Sequence, residues 1–407
     1  MQKSIYLLLL LFGLQSLINA QNIVLTDSTK FSLLTCSPGP AAYEKFGHSA
    51  IRVYDAAQSI DFIANWGLFD FDKPGFYYKF VKGETYYMLG LNDTFYFLES
   101  YRQRNSQVTE QFLNLNQEEK QRLLDVILTN YRPENREYLY NFVFDNCATR
   151  PRDRIIELFP GRKIEYNYVS EQRTYREWIV KYVGRQSWLM FGIDLVFGKD
   201  ADNKASQWET MFLPEILSNE FQETTIAIND SVSVPLISGK HVLVDNEDVK
   251  VKANVLGTPL IVMLFILLIG VLISYVEIKK RKYFKLFDFI LFLVTGLAGL
   301  IIFYLMFFSI HPLVKSNLNI LWCFPFNIFV AFMLWFKGTR PVLFVYFLIY
   351  AILIFVALVL SATNIQIFNI AFLPLMGLLL LRSVHWLYRY YQKKNYKKKS
   401  RQKKYFR

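Results

Sequence analysis

The residues able to do covalent chemistry are few enough to enumerate. The chain holds three cysteines and four histidines, and His48 is the sole histidine in its first 240 residues. Cys147 stands in Phe144-Asp145-Asn146-Cys147-Ala148-Thr149-Arg150-Pro151-Arg152-Asp153-Arg154. Asn146 is suited to cap a helix, because its short amide accepts a backbone N–H of the next turn. Pro151 fits the first turn, where the N–H it lacks would be unpaired anyway. Ile155, Ile156 and Phe159 give that helix an apolar side, and Pro160-Gly161 ends it. A thiol at a positive helix start, beside Arg150, Arg152 and Arg154, ionises more readily than a free one. A thiolate, an imidazole base and a third group holding the imidazole are the minimum set for covalent acyl transfer. Two readings compete with a nucleophile: a buried structural cysteine, and a Cys36–Cys147 disulfide, which an oxidising compartment permits.

The same census argues against other chemistries. Zinc takes about three or four Cys, His or carboxylate ligands, and the first 252 residues offer no convincing set. Asp194, Asp200 and Asp202 fall in a polar stretch, Gly192–Ala205, and read as solvated. A Gly-rich phosphate loop, CxxC and HExxH are all missing from the sequence, so neither metal nor cofactor is expected.

The elements around these residues set their geometry. Lys30–Cys36 reads as a strand stopped by Ser37-Pro38-Gly39-Pro40. His48 opens a second strand that runs to Tyr54, and Ile60–Trp66 returns from a loop around Asp55–Gln58. If Tyr54 pairs with Ser59, Asn65 stands opposite His48, with Cβ atoms ~4.5–5.5 Å apart. An amide there can orient the imidazole, although a one-residue slip would turn it to the other face. Tyr43 and Glu44 are the fallback orienting groups. A strand near Lys82–Leu91 follows. Asn116-Gln117-Glu118-Glu119 has capping-box form and opens a helix through Leu128. Tyr138–Phe144 is a strand-like aromatic run feeding Asn146-Cys147. Arg173–Val183 has helical amphipathy, and Ile226–Val251 alternates like a closing hairpin.

Hydropathy divides the chain in two. At 53% hydrophobic residues it is too apolar for an ordinary soluble protein, and the excess lies at its ends. Met1 to Ala20 carries Lys3, an apolar run Ile5–Leu14 and then small or polar residues. That is the pattern of a signal peptide, residues 1–20, cleaved before Gln21. Residues 21–252 have the composition of a globular domain. Beyond Gly257 come apolar runs at Pro259–Val276, Leu286–Phe308, Ile320–Phe336, Val342–Leu360 and Ile367–Leu387, each near the ~20 residues of a membrane span. They place a transmembrane domain of five spans at 257–390 and a basic tail at 391–407. Lys279, Lys280, Arg281, Lys282 and Lys285 follow the first span, Lys337 and Arg340 the third, whereas the alternate loops hold only Lys315. Positive-inside bias puts the tail in the cytoplasm and residues 21–252 on the opposite side, in agreement with the leader. The net charge of +12 belongs mostly to that tail and the first loop, where it sets topology and meets anionic lipid. It does not indicate a nucleic-acid partner.

Three segments carry a resemblance. Leu33-Leu34-Thr35-Cys36-Ser37-Pro38-Gly39, Phe46-Gly47-His48-Ser49-Ala50-Ile51-Arg52-Val53 and Asp145-Asn146-Cys147-Ala148-Thr149-Arg150, followed by five spans, resemble the Lnb-type lipoprotein N-acyltransferases of bacteria. The order His-then-Cys and the Asn-Cys pair are also similar to circularly permuted papain-like enzymes such as the lecithin:retinol acyltransferases. The resemblance implies an α+β permuted papain-like exported domain followed by an α-helical membrane bundle. His48 maps to the base and Cys147 to the nucleophile. Asn65 takes the orienting place, where the permuted enzymes often have histidine.

The function implied is transfer of an acyl chain from a phospholipid, through a thioester on Cys147, to the α-amine of a diacylated lipoprotein cysteine. The setting implied is the bacterial inner membrane, with residues 21–252 in the periplasm. Arg150 or Arg152 then become candidates to hold the lipid phosphate, though both can equally pair with Asp145 and Asp153. Polar groups near membrane depth are candidate functional positions. They are His311-Pro312 and Asn317-Leu318-Asn319 of an exported loop, with Trp322, Pro325 and Asn327, and His311 is the candidate substrate contact among them. Two other function classes stay open: a membrane-anchored cysteine peptidase or amidase acting on cell-wall peptides, and a non-catalytic sensor domain.

Overall fold

The computed structural model describes residues 23–169, 171–229, 231–246 and 256–405, with side chains through 395. The expected leader, residues 1–20, and the expected boundary at 252 lie outside these residues. Seven strands form one antiparallel sheet in the order β10-β5-β1-β2-β3-β4-β6. They are β1 (Lys30–Cys36), β2 (His48–Asp55), β3 (Ile60–Leu68), β4 (Tyr86–Asp93), β5 (Val108–Leu113), β6 (Glu137–Leu139) and β10 (Ile237–Val244). A small second sheet holds β7 (Ile164–Glu165), β8 (Thr225–Asn229) and β9 (Val232–Pro235).

Side chains alternate along each strand, so the large sheet has two apolar faces. Phe31, Leu33, Ile51, Val53 and Trp66 pack on helices α3 (Gln117–Tyr131), α4 (Thr149–Ile156) and α8 (Pro214–Glu223), where Leu123, Ile155 and Leu217 meet them. Leu34, Cys36, Ala50 and Ile63 face the other way, against Phe97, Leu98 and Tyr101 of α2 (Thr94–Gln103). His48 and Asn65 lie on this second face by the same alternation. The expected capping box of Asn116 and Glu119 is present.

Local chemistry displaces several sequence expectations. Asp55, not Tyr54, closes the β2–β3 turn, pairing with Ile60. Its carboxylate accepts N–H groups of Ala57 and Gln58 at 2.9 and 3.2 Å and so prolongs the turn. Tyr54 pairs with Asp61 instead of Ser59, a shift of two residues that keeps every side chain on its face. The strand expected from Lys82 starts at Tyr86, because α1 (Phe76–Lys82) precedes it and ends at Gly83 with φ 83°. Of the run Tyr138–Phe144, only the start pairs in β6; beyond it Asn141 Oδ1 draws the N–H groups of Val143 and Phe144 into a turn. The closing segment is not one hairpin: β8 and β9 pair with each other, while β10 crosses to β5.

The C-terminal region is helical. Helices α9 (Pro259–Lys280), α10 (Lys285–Phe308) and α12 (Arg340–Leu360) are long and apolar enough to cross a membrane. A fourth long helix, α13 (Phe372–Tyr405), packs on α9 and α12. The expected span Ile320–Phe336 is not one helix. It comprises a tight turn, Leu318–Leu321, and α11 (Asn327–Met333), separated by Pro325, which has no N–H to give a helix. This broken segment lies directly on α10. A Cβ at Gly299 would fall 1.8 Å from the Cys323 carbonyl oxygen, so only glycine admits the contact.

The two regions are joined by a buried polar cluster. Arg176 of α5 (Tyr175–Val183) bonds Asp194 of α6 (Trp188–Val196) at 2.6 Å and Asp202 at 2.7 Å. Asp194 also accepts from Asn369 at 2.8 Å, and Asn317 and Asn319 donate to the carbonyl of Leu195 at 2.9 and 3.1 Å. The acidic stretch expected to be a solvated loop is thus largely a joint: Asp194 and Asp202 neutralise Arg176. Asn317 and Asn319, candidate functional positions in the sequence, fasten the domain to the bundle.

Candidate active site

Asn146 organises the turn that presents the thiol. Its Oδ1 accepts the N–H groups of Ala148 and Thr149 at 2.8 and 2.9 Å. Its Nδ2 donates to the carbonyls of Phe142 and Phe212 at 2.7 and 2.9 Å. The amide holds the turn ahead of α4, whose cap position falls on Ala148 and not on Asn146 as expected, and it has no group left for a substrate.

His48, Asn65 and Cys147 converge. His48 Nε2 meets Asn65 Oδ1 at 2.7 Å. Asn65 Nδ2 donates to Asn92 Oδ1 at 3.1 Å, which fixes the amide with its oxygen toward the imidazole. That oxygen can only accept, so His48 donates from Nε2 and keeps its other nitrogen for the thiol. Gly67 sits beside the pair: a Cβ there would lie 3.3 Å from Cys147 Cβ and 3.8 Å from His48 Cε1. Its φ of +100° likewise favours glycine.

Electrostatics separates the two cysteines of the domain. Burial is the largest influence on Cys147 and pushes its thiol up. The charge of His48, its hydrogen bond, and the backbone N–H groups of Ser49 and Cys147 oppose burial and leave the thiol below its ordinary value. For His48, burial favours the neutral ring, but the Cys147 charge and hydrogen bond and the Asn65 contact raise it above the ordinary value. Both shifts favour a thiolate–imidazolium pair. Cys36, by contrast, is pushed up to about 12 by burial and is an inert thiol. Cys36, Cys147 and Cys323 are all free, so the competing Cys36–Cys147 disulfide is not formed.

Cys147, His48 and Asn65 open on a cleft of about 240 Å³ walled by Tyr43, Phe46, Phe69, Tyr87, Tyr140 and Phe142. The fallback residues Tyr43 and Glu44 also line it, but Glu44 is engaged by Arg104 at 2.6 Å. Arg104 stacks 3.8 Å over Tyr101 and is the basic side chain of the cleft lining. Arg104 and Asn92 carry no sequence signal, since neither stands in a motif and each reaches the site from a distant element.

The arginines after Cys147 do not reach this cleft. Arg150 pairs with Asp145, Nη2 lying 2.6 Å from Oδ2, and stacks 4.0 Å over Tyr138; it faces a separate surface hollow shared with Arg122 and Arg154. Arg152 is buried, donating to the Trp208 carbonyl at 2.9 Å and stacking on the Trp208 ring. His311 donates to the carbonyl of Phe80 at 2.8 Å. The three candidate substrate contacts are thus placed outside the cleft lining: carboxylate partners and ring stacking hold both arginines, and His311 ties a loop to α1.

A thiol held below its ordinary value beside a half-buried imidazole and an amide, on an α+β domain ahead of a helical region with membrane-length helices, is an arrangement suited to thiol-based transfer or hydrolysis. Residues 18–179 match the model of the Lnb N-terminal periplasmic domain, and residues 250–394 that of the Lnb transmembrane domain. The chain belongs to the Lnb family, with a periplasmic N-terminal domain and a membrane region. No curated protein and no solved structure matches it.

Proposed function

We propose that this protein is a lipoprotein N-acyltransferase working through an acyl-cysteine. The observation that carries the reading is the Cys147–His48–Asn65 centre in a domain fastened to its own membrane bundle. Cys147 Sγ attacks the carbonyl carbon of a phospholipid acyl ester. The C–S bond forms, the ester C–O bond breaks, and imidazolium His48 gives its proton to the departing alkoxide, releasing lysophospholipid. The α-amine of a diacylated lipoprotein cysteine then attacks the thioester. Its proton passes to His48, the amide C–N bond forms, and the Cys147 thiolate returns. In this scheme the backbone N–H of Cys147, which already bonds its own sulfur, is the donor assigned to the oxyanion, whereas the amide of Asn146 is committed to the turn.

The His-before-Cys order supports a permuted papain-like reading of the domain, with Asn65 in the place that histidine often takes in such enzymes. In the membrane, α9, α10, α12 and α13 with the broken α11 segment constitute the five crossings, with the basic tail in the cytoplasm of a bacterial inner membrane. Mass spectrometry of lipoprotein N-termini from a strain lacking the protein tests the reading. Loss of the amide-linked chain is expected; intact N-acylation with altered cell-wall peptides would instead assign a peptidase or amidase.

A further inference from the structure

Helix α1 is tied to the end of a membrane span. The residues that follow Phe308, the last of α10, bond directly to it: Ile310 N–H donates to the Lys82 carbonyl at 2.9 Å and Ser309 Oγ to the same oxygen at 3.1 Å. His311 adds its contact to Phe80. With its 24 residues, α10 is ~36 Å long at 1.5 Å per residue, enough to end among the lipid headgroups. Tyr78 reaches further, its ring 6.5 Å from that of Tyr304, about one helical turn inside that end.

The outer side of α1 is aromatic and uncovered. Tyr77 is 71% exposed, Tyr78 63% and Phe80 47%, and Phe71 in the preceding loop is 46% exposed. Such residues beside a span are interfacial anchors, and Lys79 on the same helix suits a phosphate headgroup. The aromatic surface then continues inward. Buried Phe76 backs Phe80 and Phe71 at 6.2 and 5.1 Å, the exposed Phe71 meets Phe69 at 4.6 Å, and Phe69 meets Tyr87 at 4.7 Å. Phe69 and Tyr87 are walls of the cleft that contains Cys147. One aromatic surface thus runs from a span end to the reactive thiol.

We propose that α1 and the Phe69–Phe71 loop form the acyl-chain entry of the protein. They sit in the periplasmic leaflet and pass one acyl chain of a phospholipid across Phe71 and Phe69 to Cys147. The assignment rests on the acyl-transfer reading above and adds the donor's path to it. The path explains how an ester buried in a bilayer reaches a thiol in a folded domain. The aromatic surface replaces the hydrocarbon that the chain leaves, so the chain crosses no water.

The test uses the full chain in nanodiscs of bacterial phospholipid. In Cys147→Ala, a phospholipid with a diazirine in its acyl chain is photolysed and the adducts are mapped. Adducts between residues 69 and 80 are expected; adducts confined to the spans would overturn the entry. So would labelling of that stretch by a diacylglyceryl lipopeptide probe but not by the phospholipid. In Phe71→Ser and Tyr77→Ser, acylation of Cys147 from phospholipid, relative to acylation by a short water-soluble thioester, should fall by about tenfold, the equivalent of one lost aromatic contact. A ratio within about twofold of the parent would also overturn the proposal. If the parent protein takes no acyl group from phospholipid while the adducts appear, the reaction is wrong and the lipid-entry surface stands.

Discussion

A Cβ at Gly67 would lie 3.3 Å from the Cβ of Cys147: the cysteine and the strand beneath it are packed to contact. Gly67 also holds a φ of +100°, so Gly67→Ala is strained twice. A non-glycine residue in such a conformation costs about 1–3 kcal/mol, and the added methyl pushes Cys147 from His48. Unfolding should move to lower temperature, and the acylation rate of Cys147 should fall by more than the stability loss explains. Both are read from thermal melts and single-turnover acylation of the same preparation.

Asn65 touches His48 and not Cys147's sulfur, so its substitution should be felt through the imidazole. Asn65→Ala removes the 2.7 Å contact and should slow acylation about 10–100-fold, as expected when a general base loses its orienter. Asn92→Leu should produce a smaller loss, because it frees the Asn65 amide to rotate. An Asn92→Leu effect equal to that of Asn65→Ala would mean that Asn92 has another role. Single-turnover rates with a soluble thioester distinguish these outcomes.

The pH profile of Cys147 follows from the opposed influences on it. Burial raises the thiol and His48 lowers it, to a net position below the ordinary value. Alkylation of native protein by iodoacetamide should therefore persist below the usual thiol range. Removing the partner in His48→Ala leaves only the N–H groups of Ser49 and Cys147 against burial, so the midpoint should move upward. An unchanged midpoint would show that the ion pair contributes nothing. In turnover, the active pair should appear as pH rises through the lowered Cys147 value and disappear as it rises through the raised His48 value.

Cys36 provides the matched control. It is buried and pushed up to about 12, so native protein should take alkyl label on Cys147 alone. Cys36 should react only after unfolding, without a reductant. Peptide mapping reads both, and a Cys36–Cys147 linked peptide would contradict the arrangement.

The joint between the two regions is electrostatic. Arg176→Met leaves Asp194 and Asp202 buried without their cation, at a cost of about 3–5 kcal/mol. Thermal unfolding in detergent should show an early transition. Asp194→Asn, which keeps the bond to Asn369 in reach, should be milder.

Much of the centre could be read from residue types. The sequence contains one histidine before residue 240 and an Asn-Cys helix start, which together singled out His48 and Cys147. Asn65 followed from strand parity, and parity survived a register error of two residues because both registers share a face. Contacts made at a distance were not legible. Glu44 and Arg104 meet across 60 positions, and Asn92 backs Asn65 from another strand. The positions of the arginines following Cys147 were open for a related reason: proximity in sequence to the thiol says nothing of where a helix turns its side chains, and the two pair with Asp145 and Asp153 respectively. Hydropathy marked Ile320–Phe336 as a span, but Pro325 and the hydrogen bonds of Asn319 and Asn327 decide its break.

The central claim is that Cys147 carries the acyl group. Full-length protein is incubated with phospholipid and no acceptor, quenched in acid and analysed as an intact mass. The account predicts one added acyl group, localised to Cys147, released by neutral hydroxylamine and absent from His48→Ala. Full lipoprotein N-acylation by Cys147→Ala, with no acyl group ever found on the parent cysteine, would contradict it.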